Sequence, residues 1–164
     1  MSTHNLDRFR KAQSQSNSGF ETALAEIRSG QKRSHWIWYI FPQLAGLGSS
    51  SLSEMYAIDG AEEATEYLKD PVLSQRLLTM TTAVAERVRE GVPLAVLMGS
   101  RIDATKLMSS LTLFEHVAAG LHKSQPHETY EALAGAAEAV LKAGESQGYQ
   151  RCRFTLDRLS QRGD

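Results

Sequence analysis

The stretch Lys32-Arg33-Ser34-His35-Trp36-Ile37-Trp38-Tyr39-Ile40-Phe41-Pro42-Gln43 constrains the fold of this chain more than any other, because it holds both tryptophans together with a tyrosine and a phenylalanine. Aromatic side chains bury more area than any others, so this segment is expected to be the packing centre for its neighbours. Ser34 is a plausible N-cap, and Pro42 forbids easy continuation, which predicts two helical turns over His35 to Phe41. The β-propensity of Trp, Ile, Tyr and Phe points the other way. A strand here would need a partner for its backbone groups, and no second convincing strand exists in the chain. Helix is therefore the expectation.

The rest of the chain reads as helices joined by short connections. Leu6 to Gln13 predicts a short helix, and Ser18 with Glu21 has capping-box spacing for a second, which carries Leu24 and Ile27 and stops at Gly30. Gln43 to Ser50, with Gly46 and Gly48, is the best loop. Ser51 with Glu54, and Asp59 with Glu62, repeat the capping-box spacing and predict helices to Tyr56 and to Lys69. Asp70-Pro71 restarts the chain as N-cap and N1 of a long amphipathic helix carrying Leu73, Leu77, Met80, Val84 and Val88, closed by Gly91. Pro93 begins one more turn, ended by Gly99. A helix from Ser100 or Asp103 carries Leu107, Leu111 and Phe114 to Ala119, with Gly120 as its stop. Tyr130 to Leu141 forms a penultimate helix, and a last one follows Gly144 and Gly148. The expected fold class is all-α: a compact multihelical single domain over residues 1–164, of about eight or nine helices.

Charge and cysteine content narrow the function classes. The 18 basic and 19 acidic residues leave a formal net charge of -1, so nucleic acid is not an expected partner. The single cysteine, Cys152, forms no internal bridge. With no signal peptide and no run apolar enough to span a bilayer, a cytoplasmic protein without a membrane partner is expected.

The motifs Lys32 to Gln43, Gly46-Leu47-Gly48, Tyr56-Ala57-Ile58, Asp103-Ala104-Thr105-Lys106 and Thr112-Leu113-Phe114 resemble the bacterial domain of unknown function 1810 family, from about Leu6 to about Leu159. The resemblance implies a compact helical domain and no activity. Some members carry the label calpastatin-like; calpastatin is a disordered inhibitor, whereas this chain has the apolar content of a folded domain.

Three constellations carry chemistry. Lys32 and His35 flank a predicted helix start, where free N–H groups favour an anion. Gly46 and Gly48 resemble a phosphate-cradling loop without its lysine. Asp103 and Lys106 share a helical face, with Asp103 as a candidate base. The expected site is therefore a pocket of Lys32, His35, Trp36, Trp38, Tyr39, Gln43, Gly46, Gly48 and Lys106, with His35 and Asp103 as catalytic candidates. The rings suit a flat group and the cations an anion, so a nucleotide or an ADP-ribose-like molecule is the first expectation, with hydrolysis as the reaction it would undergo. A faint similarity of helical pattern to the NADAR glycosidases is an analogy in the same direction. The alternative is a protein-interaction module without catalysis, its partner unknown. His116, His122 and His127 lack the spacing of a metal site, so no metal and no cofactor are expected.

Overall fold

The computed structural model describes residues 4–161. Its elements are α1 (Asp7–Gln13), α2 (Phe20–Ser29), α3 (Ile37–Ile40), α4 (Ser51–Met55), α5 (Ala61–Lys69), α6 (Pro71–Arg89), α7 (Leu94–Leu97), α8 (Arg101–Ser124), α9 (Glu128–Ser146) and α10 (Arg153–Gln161). The domain is all-α, with ten helices among the described residues, slightly above the expected eight or nine. No helix of the described residues is long and apolar enough to cross a membrane.

The frame is three long helices: α9 packs against both α8 and α6, while α2 lies on α6 and α5 on α8. Local chemistry starts each where it does. Asp70 Oδ1 accepts the N–H groups of Val72 and Leu73 at 3.0 Å, with Pro71 at N1, so α6 begins with its orphan donors satisfied. Ser100 Oγ accepts the Asp103 N–H at 3.1 Å and starts α8. His127 caps α9 through Nδ1, which accepts the Thr129 N–H at 3.1 Å.

Two glycines do not stop helices as expected. α8 runs through Gly120 to Ser124, because Val117 and Leu121 keep its apolar stripe against the core; burying those side chains outweighs a glycine penalty of about 1 kcal/mol. α9 runs through Gly144, which is buried where α8 comes close. A Cβ there would lie 2.4 Å from Met108 Sδ, so the missing side chain is what lets the two helices approach.

The three capping boxes are also corrected. Gly19 occupies the N-cap of α2, and the Ser18 carbonyl accepts the Tyr39 hydroxyl at 2.7 Å. The cap of α4 is Ser50, one residue earlier, whose Oγ accepts the Ser53 N–H at 3.1 Å. At α5 the N-cap is Gly60 at φ +91°, and it is Glu63 that accepts the Asp59 N–H, at 2.7 Å. Glu63 is buried and paired with Arg8 at 2.9 Å, so a tertiary contact draws it away from the geometry its spacing suggested.

The aromatic stretch is the packing centre, but its helix is a single turn. Trp36 takes the N-cap position of α3, and Ser34 is not a cap. Its hydroxyl and N–H donate to Glu26, as do the Arg33 N–H at 2.8 Å and Trp36 Nε1 at 2.8 Å. One carboxylate on α2 thus organises the whole turn before α3. After Pro42 the chain pairs briefly in parallel with Ile58: its N–H donates to the Gln43 carbonyl and its carbonyl accepts from the Ala45 N–H, each at 2.9 Å.

Burial alone would raise the Glu26 carboxyl, but the hydroxyl and backbone donors of Arg33 and Ser34 and the Trp36 indole outweigh it and hold it at about 2, below its ordinary 4.5. A depressed carboxylate stabilises the fold above its unfolded value, and that stabilisation is lost as pH falls through the folded one. Between pH 4.5 and about 2 the domain should therefore lose stability progressively. Urea denaturation across that window should show Glu26→Gln less stable than the parent at neutral pH and converging with it in acid.

Candidate functional site

The loop between α3 and α4 lies over the first turns of α8 and encloses a cavity of about 370 Å³ lined by Gln43, Leu47, Gly48, Arg101, Ile102, Thr105, Lys106 and Ser109. The five α8 residues follow helical spacing and form one stripe. Ala104, Leu107, Met108 and Leu111 are buried in the core on the opposite side, and this fixes the rotation of α8 that turns the stripe toward the loop. The loop is held close by Gly48, where a Cβ would lie 2.5 Å from Ser53 Oγ on α4. Gly46, at φ +101°, faces elsewhere: a Cβ there would press within 2.9 Å of the Phe154 ring, so this glycine seats α10 rather than an anion.

A second, smaller chamber of about 10 Å³ shares Gln43 and Lys106 with the first and is otherwise lined by Ile37, Trp38, Phe41, Ser53 and Tyr56. Trp38 is half-buried, and its Nε1 is a buried donor without a protein partner. Lys106 Nζ stands 5.2 Å from the Trp38 ring centroid and 4.0 Å from Asp103 Oδ1. The Arg101 guanidinium lies 4.8 Å over the Tyr149 ring and makes no ion pair among the described residues.

Other residues expected at the site serve the core instead. Lys32 is buried, its Nζ pairing with Asp103 Oδ2 at 2.8 Å and donating to the Ser34 carbonyl at 2.6 Å, over the Trp36 ring at 5.0 Å. These contacts leave it no open side for an anion. Asp103 is turned toward Lys32 and lines neither chamber, so its carboxylate is an ion-pair partner rather than a base facing the cleft. Trp36 is fully buried, and Tyr39 is buried with its hydroxyl donating to Ser18. His35 is exposed and lines neither chamber.

Of the residues the sequence singled out, the cavities bring together Trp38, Gln43, Gly48 and Lys106. Sequence reasoning missed Arg101, Ile102, Thr105 and Ser109. The signal was present: Arg101, Ile102 and Ser109 flank Lys106 at spacings of five, four and three, Thr105 stands next to it, and Ile102 is a large apolar residue between Arg101 and Asp103. The residue chosen by spacing, Asp103, lies on the other flank of Lys106, which the structure turns toward the buried Lys32.

Arg101 and Lys106 line the cleft and no carboxylate does, while Asp103 pairs with Lys32 at 2.8 Å and stands 4.0 Å from Lys106, so the lining is cationic although the whole chain is near neutral. Away from it, His4, Glu62 and Glu66 place ligand atoms within 4.8 Å of one another at the surface of α5, a set able to hold a metal ion; His4 Nδ1 already lies 3.0 Å from Glu66.

No curated protein matches the chain. The crystal structure of the conserved hypothetical protein Rv1873 from Mycobacterium tuberculosis is similar to it throughout: 33% identity, a TM-score of 0.76, and coverage of 94% of this chain and 96% of that one. The model of a family described as "Protein of unknown function (DUF1810)" matches residues 3–139, which include the aromatic stretch, the Gly46 to Ser50 loop and all of α8. The chain belongs to the DUF1810 family.

Proposed function

We propose that the domain binds a small amphipathic anion in the cleft between the Gln43 to Ser50 loop and α8. The observation that carries this reading is a cavity of about 370 Å³ with aliphatic walls, Leu47 and Ile102, and two cationic side chains, Arg101 and Lys106. Its size lies within the range of small-molecule sites, and a few polar groups on apolar walls are how such sites fix orientation. Lys106 and Arg101 supply the charge that Lys32 was expected to bring.

Binding rather than hydrolysis is supported. The lining side chains are amide, hydroxyl, cationic, aliphatic and aromatic, and neither a carboxylate nor an imidazole stands among them as a general base. Nucleotides and ADP-ribose remain within the proposed class, although with Trp36 and Tyr39 in the core the rings at the inner chamber are those of Trp38, Phe41 and Tyr56.

A thermal-shift screen against inorganic phosphate, nucleotides, NAD, ADP-ribose and organic carboxylates tests this, run in parallel on Thr105→Trp. Thr105 is exposed, so its replacement by a bulky ring fills the cleft without touching the core. At least one anion should raise the melting temperature saturably, by an amount equivalent to about 2.7 kcal/mol at a hundred times its Kd, and Thr105→Trp should abolish the shift. A flat screen overturns the proposal in favour of a protein-interaction module, and a shift that survives Thr105→Trp places binding elsewhere.

A further inference from the structure

We infer that the ligand class for this cleft is a monocarboxylate on an apolar body, with one carboxylate oxygen entering the chamber beside Trp38 and the body lying over Leu47 and Ile102. The inference rests on the binding reading above and deepens it.

The first argument is polarity. The Trp38 indole N–H is buried without a partner, and an indole nitrogen can only donate. Lys106 Nζ, near the same ring at 5.2 Å, also only donates. Ile37 and Phe41 supply apolar wall. Gln43, Ser53 and Tyr56, which also line the chamber, can donate as well as accept, so an acceptor is the occupant that every polar group there can meet, and one that carries negative charge gains most from the ammonium group.

The second argument is size. A chamber of about 10 Å³ has room for one water-sized group. A carboxylate is planar and presents a single oxygen at its leading edge, leaving the second oxygen at the junction where Lys106 and Gln43 line both chambers. A phosphoryl group carries its terminal oxygens around a tetrahedral centre and is bulkier, so it suits a chamber for one water-sized group less well. The third is the nature of the outer walls: Ile102 is 69% exposed, an apolar surface that a hydrocarbon body would cover.

Octanoate, octyl phosphate and octanol share a chain and differ in head group, so they are the probes. Their affinities for the full chain are measured by calorimetry, while the indole N–H resonances are followed in ¹H–¹⁵N spectra. The Trp38 resonance is the one lost in Trp38→Phe, and retention of the dispersed Trp36 resonance in that variant reports that it is folded. Octanoate should bind more tightly than the other two and move the Trp38 resonance downfield. Trp38→Phe should weaken octanoate about tenfold or more, the loss expected for a charge-assisted hydrogen bond, and leave octanol unchanged. Tighter binding of octyl phosphate, or saturation by octanoate with an unmoved Trp38 resonance, overturns the inference. If all three fail while another anion stabilises the wild type but not Thr105→Trp, the carboxylate inference falls and the binding proposal stands; if no anion does so, both fall.

Discussion

Trp36→Ala is expected to unfold the domain or leave it marginal. The side chain is fully buried, and removing a buried tryptophan costs about 3–5 kcal/mol through lost burial and the cavity left behind. Its Nε1 also donates to Glu26 at 2.8 Å, so truncation strips one donor from the carboxylate that organises the turn before α3. Small domains hold only about 5–15 kcal/mol in total, so the combined loss is a large part of the stability. Trp36→Phe separates the two contributions: it keeps most of the apolar volume, loses the donor, and should cost about 1–3 kcal/mol. Urea denaturation followed by far-ultraviolet circular dichroism measures both, and a Trp36→Ala midpoint close to the parent would contradict the assignment of this ring to the core.

Asp103→Ala is the second large effect, and the structure changes what is expected of it. From the sequence alone this substitution leaves the domain folded and removes ligand binding. In the structure Asp103 pairs with Lys32, whose side chain is only 6% exposed, so removing the carboxylate leaves a buried ammonium with the Ser34 carbonyl and the Trp36 ring for company. Breaking one side of a buried pair costs about 3–5 kcal/mol, whereas replacing both partners by apolar groups of similar shape is often neutral. Asp103→Ala should therefore destabilise strongly, and Lys32→Met with Asp103→Leu should recover most of the loss. A double-mutant cycle in urea reads the coupling directly; additive effects would show that the pair is not what holds this corner together. His35→Ala, by contrast, should change stability by less than about 0.5 kcal/mol and leave binding intact, because the side chain is exposed and outside both chambers.

The fold was legible where one local cause acts alone. Asp70-Pro71 starts α6 as its residue types require, and the apolar spacing of Leu73, Leu77, Met80 and Val84 places those side chains in the core. It was less legible where a tertiary contact competes with a local rule. Ser34, Ser18 and Glu62 had the right spacing for caps, but Glu26, Tyr39 and Glu63 hold those segments from a distance in sequence. Gly120 and Gly144 read as stops because a glycine carries the same local signal at a helix end and inside a helix: Gly144 sits at the crossing with α8, whereas Gly120 has open space around it and α8 is carried past it by Val117 and Leu121.

The site was legible as a neighbourhood rather than as a set of groups. The loop of Gly48 and the helix of Lys106, which the expected pocket combined, do meet. Which cations face outward depends on the rotation of α8, set by the burial of Leu107 and Leu111, and on the pairing that buries Lys32. Neither is written in a local motif, so Lys32 and Asp103 were overvalued and Arg101 and Ile102 overlooked.

The central claim is that the cleft between this loop and α8 is where a ligand sits. The most direct measurement is a backbone amide perturbation map, from ¹H–¹⁵N spectra of the full chain titrated with the strongest hit of the thermal-shift screen. The account predicts that the largest changes fall on Gln43 to Gly48 and on Arg101 to Ser109, with the Trp38 indole moving alongside them. Changes concentrated instead at the opposite end, around His127, Tyr130 and the α5–α6 corner where a separate cavity of about 300 Å³ lies, would contradict it.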